Sequence, residues 1–244
     1  MDTTKLAEAL HARTAAFAET VTGADPDARV PTCPDWPLRV LVGHIGQAHR
    51  WSAGIVRSGP SPVPDPLDAD PGAPDAWADW LRRGADDLAK TVLDAGETPV
   101  WTFFGEQPAK FWLRRMLHDT TIHHADAALT TGTTVEIAPD LAADAIGEWL
   151  EVLSDPVTAS LRPGFAELHG TGQTLQLRPE DGEGWLITRG RGVRWTRETS
   201  PADVTLTGPV QDLLLVLTRR RPAGDVTITG DRALADHWLA HTAA

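Results

Sequence analysis

The stretch RRMLHDTTIHHADAAL, residues 114–129, decides how the rest of the chain is read. No Gly or Pro occurs from Phe111 to Thr131, and apolar residues are frequent enough to pack one side of a helix. Residues four apart on a helix share a face, with Cβ atoms about 5–6 Å apart. Asp119 therefore lies one turn from His123. Trp112, Met116 and Ile122 fall on the same stripe, so a carboxylate and an imidazole sit on or beside the face to be buried. An ionised carboxylate there is costly unless it is paired, protonated or coordinated. Asp and His at i, i+4 supply half of a metal site.

A second stretch, LRVLVGHIGQAHRW (38–51), also reads as a helix. Leu41, Ile45, Ala48 and, further on, Ile55 form its apolar stripe, with His44 adjacent. His49 lies about 140° around the helix from His44, so the two cannot face one ion. One imidazole from this helix, with Asp119 and His123, makes three N/O ligands and leaves a position open, the count of a catalytic rather than a closed structural site. Other readings stand beside this one. His44 also reads as a hydrogen-bonded core histidine, and Asp119 as the i, i+4 ion-pair partner of Arg115. His118 and His124 are expected to face solvent or a neighbouring helix, and Cys33 to be a packed loop thiol.

The 244 residues suffice for one large domain or two smaller ones. A formal charge of −12 argues against nucleic acid or an anionic membrane as partner. A single Cys cannot form an internal disulfide, and no apolar run approaches the ~18 residues of a membrane span, so a soluble, cytoplasmic protein is expected. An α+β chain of two domains follows from the patterning. Residues 1–153 read as helical, with further helices over 3–22, 75–94 (Asp75 as cap) and 139–153. The Pro/Asp-rich connection over 59–74 is too long for a tight helical hairpin and suits a crossover that rims a pocket. Residues 154–164 are the expected linker. From 165 to 244, TLQLRP, GWLITRGRGVRWTRE, DVTLTG and VTITG alternate as strands, with RGRG as a hairpin turn and helices over 209–220 and 231–241.

CPDWPLRVLVGHIGQAHRW (33–51) and RRMLHDTTIHHADA (114–127) together resemble the mycothiol-dependent maleylpyruvate isomerase family of the DinB-like superfamily. LLLVLTRRRP (213–222) is similar to the leucine-rich helix of that family's second domain. The resemblance implies a DinB-like four-helix bundle that binds metal, followed by a small α+β domain. It puts the family's metal ligands on His44, Asp119 and His123, with Asp119 a departure from Glu by one methylene. Val40 stands where the family has an acidic residue, and Arg219 where a Gly often precedes the helix-terminal Arg. That Arg is matched by Arg220, which implies contact with the thiol or an anionic substrate; Arg219 and Arg221 read as helix-terminal cations.

The resemblance further implies a divalent ion, Zn²⁺ foremost, and mycothiol as cosubstrate, since one Cys leaves the chain without a thiol pair of its own. Thiolate addition to a small electrophile then permits isomerisation or S-transfer. A metal-dependent hydrolase and a non-catalytic metal- or ligand-binding protein are the alternatives, and a monomer is expected. Only Lys5, Lys90 and Lys110 accompany abundant Arg and Ala, in keeping with a GC-rich, actinobacterial genome.

Overall fold

Asp2 accepts a hydrogen bond from the Lys5 amide (2.9 Å) and starts helix α1 (Thr3–Val21), whose Leu6, Leu10, Phe17 and Val21 are buried at helical spacing. These features come from a computed structural model, which describes residues 1–242. A small hairpin of β1 (Arg29–Val30) and β2 (Cys33–Pro37) leads into α2 (Leu38–Ser58). Gly59, with φ +87°, ends that helix in a conformation that L side chains rarely adopt. Two short 3₁₀ turns, Pro66–Asp68 and Pro74–Ala76, interrupt the connection to α3 (Trp77–Ala95). Asp75 falls inside the second of these turns and does not cap α3, whose N-cap is Ala76. A hairpin of β3 (Pro99–Thr102) and β4 (Gly105–Pro108) precedes α4 (Lys110–Thr131), the helix of the opening stretch.

These four helices form the expected bundle, with α1 and α2 each packing against both α3 and α4. Phe17, Leu38, Leu41, Ile45, Trp77 and Leu81 fill its centre, all at most 1% exposed. Burying each such side chain contributes about 1.5–3 kcal/mol. Close approach of α2 and α3 depends on Gly84, where a Cβ would lie 3.1 Å from the Gly46 carbonyl.

The chain divides into two compact units, Met1–Val135 and a second beginning at Glu136. This corrects the expected boundary. Helix α5 (Pro139–Ser154) packs on elements of the second unit, and the expected 154–164 linker is instead structured. Asp155 accepts from the Val157 amide and caps the short helix α6 (Pro156–Leu161), and a 3₁₀ turn follows over Pro163–Leu168. An apolar helical stripe looks alike whether it faces a bundle or a sheet, so periodicity alone could not assign α5 to either unit.

The second unit carries β5 (Thr174–Pro179), β6 (Trp185–Arg189), β7 (Val193–Arg197), β8 (Val204–Gly208), α7 (Val210–Leu217), β9 (Thr227–Gly230) and α8 (Arg232–His241). The sheet order is β7-β6-β5-β8-β9, antiparallel throughout except for the parallel β5–β8 pair. β6 and β7 pair across the RGRG turn as expected. Leu175, Leu177, Ile187, Val204 and Leu206 are buried, and α7 lies against β5 and β8.

Helix α7 stops at Leu217, three residues short of the expected end. Arg219 adopts φ +63°, alone among the described non-glycine residues in that region. Its amide donates to Val216 O (3.0 Å) and the Arg220 amide to Leu215 O (2.7 Å), the two bonds of a Schellman cap. A glycine would hold that position without strain.

Candidate metal centre

α4 and α2 bring His44, Asp119 and His123 together, with one ligand atom of each within 4.8 Å of the others. His44 Nε2 lies 3.7 Å from an Asp119 oxygen, and the two imidazole rings stand edge to face with centroids 5.1 Å apart. All three side chains are partly exposed, at 21%, 24% and 13%. The cluster is therefore reachable from solvent without being open to it. Trp36, at the end of β2, closes one side, 5.2 Å from the His44 ring and 6.2 Å from the His123 ring.

Burial alone would push the Asp119 carboxyl up. The neighbouring His44, His123 and Arg115 outweigh that cost and hold it well below the usual carboxylate range, so it is ionised. Arg115 stands 3.5 Å from the other Asp119 oxygen, so the i, i+4 ion pair read as an alternative coexists with the cluster.

Asp126 has a place that spacing alone did not reveal. Fully buried, it approaches His123 Nδ1 at 2.8 Å and accepts from Thr32 Oγ1 at 2.6 Å. A carboxylate on Nδ1 fixes that proton and leaves Nε2 as the lone-pair donor, the arrangement by which outer carboxylates orient ligating histidines. The signal was present in HHADA as an i, i+3 pair, but helical spacing does not tell a partner from a bystander.

The remaining histidines of the bundle take other roles. His49 is wholly buried; because the Thr120 hydroxyl donates to Met116 O, His49 Nε2–H donates to Thr120 Oγ1 (2.8 Å). Burial lowers its pKa to about 3, so it stays neutral and apart from the cluster. His124 faces α1, with Nδ1 accepting from Arg13 (3.2 Å) and Nε2–H donating to Thr20 (2.8 Å). Cys33, the single cysteine of the chain, lies on β2, half-buried against the bundle core.

Two imidazole nitrogens and one ionised carboxylate suit a divalent ion, and the oriented Nε2 of His123 meets the same demand. In the second unit Arg220 is 7% exposed, and its guanidinium donates to Thr218 O (2.7 Å). The Arg221 guanidinium pairs with Asp212 at 2.7 Å, and its amide donates to Leu215 O at 3.0 Å.

A His–Asp–His cluster on one seam of a four-helix bundle, with a mixed five-stranded sheet in a second unit, defines a class of two-unit α+β proteins. The chain belongs to the mycothiol maleylpyruvate isomerase family, an enzyme family. Residues 7–128 match the model of the mycothiol maleylpyruvate isomerase N-terminal domain, and residues 140–237 that of the family's C-terminal domain. Among solved structures, a mycothiol-dependent maleylpyruvate isomerase shares the fold at TM-score 0.64 and 14% identity, over 94% of this chain and 93% of that one. A histidine-to-alanine mutant of such an isomerase aligns over the same shares at TM-score 0.63 and 14% identity. No curated protein matches the sequence. No helix among the described residues is long and apolar enough to cross a membrane.

Proposed function

We propose that the protein is a metal-dependent enzyme that uses mycothiol to isomerise, or to transfer sulfur to, a small electrophilic substrate. The observation that carries this reading is the convergence of His44, Asp119 and His123 within 4.8 Å, in a chain of this family. These three residues would hold the ion. When bound, such an ion supplies Lewis acidity and favours the thiolate form of a thiol at the open position.

The chain's own residues do the rest. Asp119 contributes the single negative charge, so the ligand set with a divalent ion keeps a net charge of +1. Asp126 and Thr32 keep the His123 ring turned so that Nε2 faces the other two ligands. Trp36 excludes water from one side of the cluster. In the second unit, Arg220 would offer a guanidinium to an anionic group of the thiol or substrate, a fork that Lys does not reproduce.

Protein loaded with Zn²⁺ and incubated with mycothiol and maleylpyruvate is expected to isomerise it; with other electrophiles, mass spectrometry is expected to detect mycothiol adducts. Turnover that persists without any thiol would instead indicate a hydrolase. Arg220→Lys is expected to reduce thiol-dependent turnover while metal content stays unchanged; normal turnover in that variant would remove Arg220 from the mechanism.

A further inference from the structure

Two turns along the α2–α4 seam from the His–Asp–His cluster, aromatic rings replace the polar lining. Trp51 follows His44 by seven residues on α2, and Trp112 precedes Asp119 by seven on α4. Seven residues are close to two full turns, so each ring shares a helix face with its ligand, about 10 Å further along. The helices are bridged at both levels, His44 to His123 at 5.1 Å and Trp51 to Trp112 at 5.2 Å. Trp101, Phe103, Phe104 and Phe111 join the second level, with Phe103 5.8 Å from Trp51 and 5.5 Å from Trp112.

The cluster pins the β3–β4 hairpin to the helices but is not closed throughout. Trp112 is closed: it is fully buried, and its Nε1 donates to Trp101 O at 2.9 Å. Trp51, Trp101, Phe103, Phe104 and Phe111 each keep part of their surface exposed. Trp51 is also held in place, its Nε1 donating to Pro62 O at 2.9 Å. That bond belongs to a line of contacts between the 60–72 segment and α2. Gln47 donates to Asp65 O at 3.2 Å, and a Cβ on Gly43 would lie 3.0 Å from the Ala69 Cβ. Positions 43, 47 and 51 run down one side of α2 beside the His44 face, so this segment flanks the path from the ligand cluster to the rings. Trp36 stands at the opposite end, against His44 and His123.

We propose that the substrate follows this path, and that the electrophile carries an aromatic or extended conjugated body lying on Trp51 and Phe103, its reacting atom at the His44–Asp119–His123 cluster. The identity of the reacting end rests on the metal–thiol reading above; the affinity of the rings for a planar body does not. Fixed aromatic rings bind planar apolar groups well because little side-chain entropy remains to be lost. The separation of about 10 Å between the two levels exceeds the reach of a three- or four-carbon electrophile, whereas two fused rings span most of it. Arg115 lies one turn from both Asp119 and Trp112, so an anionic substituent along the path meets a guanidinium.

The test is calorimetric titration of the Zn²⁺-loaded full chain with 2-naphthoate, using acetate as reference because both carboxylates can reach the ion equally. Naphthoate is expected to bind at least about tenfold more tightly than acetate, the scale of one good stacking contact. Trp51→Leu and Phe103→Leu are each expected to reduce that preference by about fivefold or more, with metal content unchanged. Trp195→Leu, in the other unit, is expected to leave it intact. Naphthoate no tighter than acetate, or wild-type preference in both ring variants, overturns the proposal; should Trp51→Leu fail to fold, Phe103→Leu decides. Ring-dependent binding without thiol-dependent turnover supports the path and counts against the metal–thiol reading. Turnover without ring-dependent binding refutes the path alone.

Discussion

His123 and His124 are neighbours on one helix, about 100° apart, and they enter two different seams of the same bundle. Toward α2, His123 meets Asp126 on one ring nitrogen and shares its cluster with Asp119. Toward α1, His124 meets the Arg13 guanidinium and the Thr20 hydroxyl. His124 is the more buried of the two, yet the side chains that meet its ring are a guanidinium and a hydroxyl, not a carboxylate. α2 repeats the contrast: His44 reaches a carboxylate at 3.7 Å, and His49 reaches only the Thr120 hydroxyl. Burial does not make a histidine a metal ligand. The carboxylates beside it do, by supplying charge that a cation can share and by fixing which nitrogen keeps its lone pair.

The contrast breaks most directly on metal content. His44→Ala and Asp119→Asn are expected to abolish stoichiometric Zn²⁺ while far-ultraviolet circular dichroism stays helical, whereas His124→Ala keeps its ion; elemental analysis of the three purified variants decides. Equal metal content in all of them would mean that the two seams do not differ in this respect.

The second expected effect concerns pH and the α1 seam. Burial, helped by the Arg13 charge, lowers the His124 pKa to about 4. The unfolded chain takes up a proton near the ordinary 6.5, while the folded bundle does not until about 4, so stability is lost as pH falls through that window and levels off below it. The full span is worth about 3 kcal/mol. Burial of His49 acts in the same direction. Urea unfolding of metal-free protein between pH 7 and 4 should show this slope, and His124→Gln should reduce it, leaving the His49 contribution. An unchanged slope would place the titrating group elsewhere.

A smaller effect separates orientation from ligation. Asp126→Asn keeps the shape of the side chain and removes the charge behind His123, and it is expected to weaken Zn²⁺ affinity by about 10–100-fold without abolishing binding. Competition with a chromophoric chelator measures this, and wild-type affinity would reduce Asp126 to a packing role. The smallest effect lies outside the bundle. Arg219→Gly relieves the left-handed backbone at the α7 cap and is expected to raise stability by about 0.5–1 kcal/mol in thermal melts. No gain would mean that the weak contact of Arg219 with Ala240 O, at 3.5 Å, offsets the strain.

The helices, the strands and two of the three ligands were legible in the linear chain because they depend on periods of 3.6 and 2, which are local. D-x-x-x-H places Asp119 and His123 on one face whatever the rest of the molecule does, and the Gly at 59 stops α2 by its own conformational freedom. The same locality explains why α5 read as a bundle helix: its apolar stripe does not say which partner covers it. Three matters waited on tertiary contact. One was that His44, rather than His49, crosses to Asp119; another was that Asp126 reaches back to Nδ1 of His123. The last was that Trp51 and Trp112, sixty-one residues apart, meet two turns from the same ligands. The first and the last are distances between helices, set by how close α2 and α4 can pack, and that closeness comes from the bundle core; the Asp126 contact lies within α4 as an i, i+3 pair, fixed by the burial of Asp126 and its bond from Thr32.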